Sequence, residues 1–232
     1  MAELTSAQAR AFYDRFGKKQ DLQRFYEDAA LDLLLANSDL RHARSVAEFG
    51  AGTGRLAARL FEERLPLDAV YFGYDLSETM VELARARLAR FGSRASVSLT
   101  DGAPALPLAK GSCDRFVCTY VLDLLSPADA LAVAEEARRV LAPGGRLCLA
   151  SLAPGTGPIS KAVQTIWEAL WRNRPQLVGG CRPVKLLNLI GPGWEILYRE
   201  VVCRIGLCSE VLVAEPSPAS ERAGEMGTMT PG

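Results

Sequence analysis

Residues 46–54 read Val-Ala-Glu-Phe-Gly-Ala-Gly-Thr-Gly, which spaces Gly50, Gly52 and Gly54 two apart and sets Glu48 two residues ahead of them. Glycine tolerates the backbone angles of a tight bend and lets a main chain approach a ligand with no Cβ in the way. A dinucleotide fingerprint would place its third glycine at position 55, which is Arg55, so the spacing counts against NAD or FAD. Glu48, so close to a helix start, suits a site that need not hold a pyrophosphate. Asp75 follows Gly50 by 25 residues and closes a second apolar run. There a carboxylate can accept hydrogen bonds from both hydroxyls of a ribose. Asp101 follows a third such run, where it can accept from an exocyclic amine such as that of adenine. Either Asp alone could merely cap the next turn. Two at successive strand ends, beside a glycine-rich bend, point to a nucleoside ligand.

The elements that must hold these residues are legible around them. Residues 45–49 and 70–74 predict strands, and residues 55–64 the helix after the bend. Ser77 caps a helix to about residue 89, with Met80, Ala84 and Leu88 on one face. Residues 95–100, 116–122 and 146–152 predict the third, fourth and fifth strands. Between the last two lies the clearest helix, with Ser126 as cap, Pro127 at its first position and Asp129 in its first turn. Arg138 and Arg139 form its basic end, and Pro143-Gly144-Gly145 is its expected stop. Such alternation makes a parallel sheet with helices on both faces. Residues 194–203 and 207–214 break the rhythm. Only residues 204–206 separate them, too few for a parallel crossover, so they predict an antiparallel hairpin. Residues 6–36 predict two helices broken near Gly17. Residues 1–214 are expected to form a single domain, with 1–40 as a helical lid and 153–192 as a helical insert. The polar, aperiodic residues 215–232 predict a disordered tail.

Composition narrows the classes of function. The 232 residues carry 27 Lys+Arg and 27 Asp+Glu, so the formal net charge is zero. A nucleic-acid binder normally carries a basic excess that releases phosphate counterions. No apolar run nears the roughly 18–20 residues of a membrane span. The first 17 residues mix charges among apolar positions, unlike a secretory signal. The six cysteines include no C-x-x-C pair and His42 is the sole histidine, so no metal site is expected. Cys113, Cys118, Cys148, Cys203 and Cys208 read as buried small hydrophobes of a reducing compartment. Cys181, in a Gly-Gly-Cys-Arg-Pro turn, is a candidate for exposure but reads as buried or incidental. The expectation is a cytoplasmic protein with a small-molecule partner, no nucleic acid and no membrane span.

Taken jointly, residues 46–54, 71–75 with Leu76-Ser77, Asp101-Gly102 and 140–145 resemble the successive motifs of class I S-adenosylmethionine-dependent methyltransferases, closest to small-molecule members of the UbiE-like type. The resemblance covers residues 40 to 155, and a C-terminal hairpin is also as expected for that family. It implies an α/β, Rossmann-like, mostly parallel sheet of seven strands in the order 3-2-1-4-5-7-6, with helices on both faces, and S-adenosylmethionine as cofactor. It further implies that Glu48, Gly50, Gly52 and Gly54 line the cofactor's methionine part, with Ala51 where many relatives carry Cys. Asp75 would hold the ribose, and Leu76 or Met80 would pack on the adenine. Asp101 would bond the adenine amine, with Gly102 allowing close approach. Thr119 and Tyr120 would border the sulfonium and the acceptor.

Methyl transfer from a sulfonium is an in-line displacement from an activated donor, so the protein chiefly aligns the nucleophile in a dry pocket. A general base is needed only for a poorly ionised hydroxyl or a protonated amine. Tyr120 and Asp123, near the fourth strand's end, are the candidates, Asp123 being equally placed to cap the coming helix. His42 precedes the first strand, away from the ligand-binding carboxyl ends. Tyr13, Phe16, Phe25 and Tyr26 could close over an acceptor or simply pack the first helices on the sheet. Trp167, Trp171, Arg172, Arg174 and Arg182 could hold a carboxylate or phosphate on a flat apolar substrate, or form a solvated face. The expected function is methyl transfer to a small-molecule acceptor. A non-catalytic cofactor-binding or scaffold protein on the same fold is the alternative. A nicotinamide-dependent oxidoreductase would need a glycine at position 55 and a sixth parallel strand where the hairpin stands.

Overall fold

The computed structural model describes residues 5–17, 20–21 and 24–217. Its strands are β1 (Ser45–Phe49), β2 (Val70–Asp75), β3 (Ala95–Leu99), β4 (Cys113–Thr119), β5 (Leu141–Ala153), β6 (Trp194–Arg204) and β7 (Leu207–Pro216). They form one sheet in the order 3-2-1-4-5-7-6. The first five are parallel, and β7 runs antiparallel between β5 and β6. Helices cover both faces, so neighbouring residues of one strand enter different cores. Val46, Val117 and Val211 join Leu60 and Tyr71 on one side, while Ala47, Phe116 and Leu212 join Val133 and Leu147 on the other.

Helix α1 (Ser6–Phe16) opens with a capping box between Thr5 and Gln8, and α2 (Arg24–Asn37) follows after Gly17. α2 presses Ala30, Leu31, Leu34 and Leu35 into the core. α1 buries no residue completely and is held by polar contacts instead. The Arg10 guanidinium donates to the carbonyls of Leu76 and Thr100, and Asp14 accepts from the Ser77 hydroxyl. Those contacts lay α1 across the carboxyl ends of β2 and β3. α3 (Arg55–Glu63), α4 (Glu78–Leu88) and α5 (Pro127–Val140) are the crossover helices, and α6 (Pro158–Asn173) begins the insert after β5.

Several predicted boundaries move for local reasons. β4 ends at Thr119 rather than at residue 122, because Tyr120 takes a left-handed φ of 55° that breaks the ladder. α5 ends at Val140, ahead of the expected Pro-Gly-Gly stop, and the chain is extended from Leu141. The β4–β5 register jumps from Cys113↔Leu141 to Arg115↔Arg146, so Pro143-Gly144-Gly145 form an irregular start to β5. β7 continues through Glu215 and Pro216, which pair with Glu195 and Trp194, so the predicted tail begins as strand; residues 218–232 lie outside the described residues. Cys203 and Cys208 are also corrected. They face each other across the hairpin and form a disulfide, whereas Cys113, Cys118, Cys148 and Cys181 are free and buried.

Candidate functional site

The bend after β1 is built by β2. Gly50 and Ala51 donate their N–H groups to the Tyr74 carbonyl at 2.8 and 3.0 Å, and Gly52 donates to Asp75 Oδ2 at 2.8 Å. Asp75 Oδ1 accepts from Ser77 N–H at 2.9 Å, so one carboxylate fixes both the glycine bend and the start of α4. Burial raises the Asp75 carboxyl above its ordinary value, and the backbone donors of Ser77, Gly52 and Leu76 work against that rise.

A hollow opens at the carboxyl ends of the strands, where open parallel sheets bind ligands. Asp75, Leu76 and Met80 line one end of it with Thr100 and Gly102, and Gly50, Gly52, Thr119 and Tyr120 line its floor. Ser6, Ala9 and Tyr13 of α1 form the cover, and Leu124, Leu125, Ser126 and Asp129 the far wall. A smaller hollow lies across the bend, lined by Glu48, Ala51, Thr53, Arg55 and Glu27, and it shares Gly50, Gly52, Thr119 and Tyr120 with the first.

Glu48 is buried and accepts from the Tyr71 hydroxyl at 2.5 Å. Burial pushes its carboxyl up to about 8, a rise that the Tyr71 donor opposes and Asp75 adds to. Tyr71 was not among the predicted site residues. Its signal is Gly73, a glycine inside a strand, which often marks a close approach. A Cβ at Gly73 would lie 2.7 Å from the Tyr71 hydroxyl and 3.0 Å from Ala51 Cβ, so this glycine clears the path to Glu48. Because folded Glu48 stays protonated up to about pH 8 while an unfolded glutamate ionises near 4.5, its contribution to stability is complete below pH 4.5 and is lost as pH rises through about 8. Chemical denaturation of the ligand-free protein should therefore give lower stability at pH 9 than at pH 6, with a shallower fall in Glu48→Gln. An equal fall in that variant would exclude Glu48 as its source. Burial likewise raises Glu27 and Asp123 to about 7, which accounts for the remaining slope.

The other predicted residues divide. The Asp101 side chain is exposed, caps its own loop by accepting Ala103 N–H at 2.9 Å, and is not brought to the wall; its neighbours Thr100 and Gly102 are. Gly54 has a packing task as the left-handed cap of α3, where a Cβ would sit 3.0 Å from the Ala84 backbone. Tyr120 borders both hollows, yet its hydroxyl donates to Ser209 at 2.9 Å and its ring packs edge-on against Tyr26. Asp123 lies fully buried behind the wall, where it accepts Leu152 N–H; Ser126, not Asp123, caps α5.

Of the predicted acceptor residues, Tyr13 reaches the large hollow. Phe16 stacks on Phe12, and Tyr26 packs with Tyr120. Trp167 donates to the Cys181 carbonyl, and Arg182 donates to the Leu125 carbonyl while lying over the Trp171 ring, so both brace the insert. Ser126 and Asp129, legible only as helix-capping residues, line the far wall of the hollow. Among the described residues no group of three or more His, Cys, Asp or Glu is placed to hold a metal ion, and no helix is long and apolar enough to cross a membrane.

The 3-2-1-4-5-7-6 sheet ending in an antiparallel hairpin, with a glycine bend tied to an aspartate at the end of β2, is the architecture that the resemblance to class I S-adenosylmethionine-dependent methyltransferases implies. Over residues 46–145 the chain matches the family described as "Methyltransferase domain". It is 38% identical over 117 residues to a demethylmenaquinone methyltransferase of Lactococcus lactis, covering 50% of this chain and 45% of the relative. To a ubiquinone/menaquinone biosynthesis C-methyltransferase of Caulobacter vibrioides it is 28% identical over 171 residues, covering 69% and 67%. The chain spans about half the length of most curated relatives it matches. In fold it is similar to the [4+2]-cyclase SpnF, with a TM-score of 0.68 at 19% identity, covering 94% of this chain and 98% of that one. The donor set fits the family's cofactor. Asp75 offers a carboxylate at one end of the hollow, Leu76 and Met80 an apolar surface beside it, and the bend a floor without side chains.

Proposed function

We propose that this protein transfers a methyl group from S-adenosylmethionine to a small-molecule acceptor by in-line displacement, working in the cytoplasm. The observation that carries the reading is the continuous hollow running from Asp75 past the glycine bend to Tyr120 under the cover of α1. When bound, the cofactor supplies a methyl group on a positively charged sulfur, already activated for transfer. Asp75 accepts the ribose hydroxyls, and Leu76 and Met80 pack on the base. Thr119 and Tyr120 border the reacting end. Tyr13, Ala9 and Ser6 exclude water from above, with α1 as the lid of a domain that ends in the hairpin.

The Tyr120 hydroxyl is engaged by Ser209 and Asp123 stands behind the wall, so alignment and dryness supply the rate rather than proton abstraction by these two groups. Tyr120→Phe should then keep kcat within about threefold, whereas loss of a general base would cost roughly a hundredfold or more. Steady-state rates of the variant decide between these outcomes. The reading as a whole is tested by thermal shift and by mass. S-adenosylhomocysteine should raise Tm and NAD should not, and a panel of small acceptors should yield products heavier by one methyl. Cofactor binding without any methylated product would favour the non-catalytic alternative.

A further inference from the structure

The smaller hollow contains a group that the protein leaves incomplete. Glu27, on α2 and outside residues 46–145, is 6% exposed. Its Oε2 accepts from the Arg55 guanidinium at 2.9 Å, while its Oε1 is sealed from solvent with no hydrogen-bond partner. A buried carboxylate oxygen without a donor is costly, and such orphans in folded proteins mark a site that something else completes. Glu27 lies in the wall of this hollow with Glu48, Thr53 and Arg55. A second carboxylate, Asp28, takes the other end of the Arg55 guanidinium. The lobe itself offers two buried carboxylates, Glu27 and Glu48, and one guanidinium within reach of the glycine bend, and it opens into the larger hollow across Gly50, Gly52, Thr119 and Tyr120. Its chemical complement carries an ammonium and a carboxylate on one carbon, an α-amino acid.

We propose that Glu27 is a cofactor-binding residue contributed by the N-terminal helices, its Oε1 accepting from the α-ammonium of the cofactor's methionine portion while Glu48 faces the same group and Arg55 the α-carboxylate. This rests on the methyltransferase reading and extends it to a helix that carries none of the recognised motifs. Burial raises both carboxyls, Glu27 to about 7 and Glu48 to about 8, which is the state expected of a cation-binding pair without its cation. The pairing with Arg55 also docks α2 on α3, so filling the lobe tightens the N-terminal helices against the domain.

The test separates the amino-acid end of the ligand from its nucleoside end. Calorimetry on the full chain should show Glu27→Gln binding S-adenosylhomocysteine about ten- to a hundredfold more weakly, with its affinity for 5′-methylthioadenosine, which has no amino-acid end, changed by less than about twofold. A purely structural Glu27 would weaken both ligands alike, and an unchanged affinity for S-adenosylhomocysteine would exclude the contact; either result overturns the proposal. A second measurement needs no variant. Wild-type protein should bind the S-adenosylhomocysteine analogue with hydrogen in place of the α-amino group about tenfold or more weakly than the parent. Equal binding of the two overturns the ammonium site. If wild-type protein binds neither S-adenosylhomocysteine nor methylthioadenosine, the cofactor reading itself fails, which is distinguishable from a failure confined to Glu27.

Discussion

Asp75→Ala should weaken S-adenosylhomocysteine binding by roughly ten- to 150-fold, the loss of a charged acceptor worth about 1.5–3 kcal/mol. The substitution removes more than a contact with a ligand. Gly52 N–H and Ser77 N–H both donate to this carboxylate. Without it the buried Ser77 N–H loses its partner at a cost of about 1–3 kcal/mol, and the part-buried Gly52 N–H loses the bond that holds the bend. Binding and stability should therefore fall together, and the bend should loosen where the ligand lies. Asp75→Asn is no rescue, because its amide presents N–H groups to one of two backbone donors. Titration calorimetry reads the affinity and urea denaturation the stability. An affinity left unchanged by Asp75→Ala would sink the assignment of the hollow to an adenosyl ligand.

The second large effect is expected at Gly50. Its φ of 82° is one that side chains with a Cβ seldom adopt, and a Cβ built there falls 2.3 Å from Val121 Cγ2. The backbone strain costs about 1–3 kcal/mol. Pushing Val121 aside adds an overpacking cost of about 1–3 kcal/mol. Gly50→Ala should thus lower stability by several kcal/mol and displace the floor that both hollows share. Gly52→Ala is the internal comparison. Its φ is 52° and a Cβ there meets nothing within 4 Å, so only the backbone cost applies. Pairing Gly50→Ala with Val121→Ala should recover the steric share and leave the strain. Urea midpoints of the three variants measure this directly. Equal destabilisation by Gly50→Ala and Gly52→Ala would show that Val121 does not press on the bend.

The bend, the aspartate closing β2 and the final hairpin were legible because each rests on local chemistry. Glycines two apart permit a turn that other residues resist, and three residues between two strands leave room only for an antiparallel return. Strand ends were less legible. Nothing at Tyr120 announces a left-handed backbone, and its conformation follows from where β4 meets β5. Cys203 and Cys208 could be placed in adjoining strands, but their pairing depends on a register that only the folded hairpin fixes.

By itself, then, the chain's order of residues determined the sheet class, the position of the glycine bend and the carboxylate that closes β2, since periodicity and turn geometry act over a few residues. The tertiary structure decided which carboxylates face inward. Asp75 and Glu48 do, Asp101 turns to its own loop, and Glu27 arrives from a helix with no motif. A side chain's direction and its burial are set by neighbours distant in sequence, so local spacing singled out Asp101, which turns away, and passed over Glu27, which turns inward.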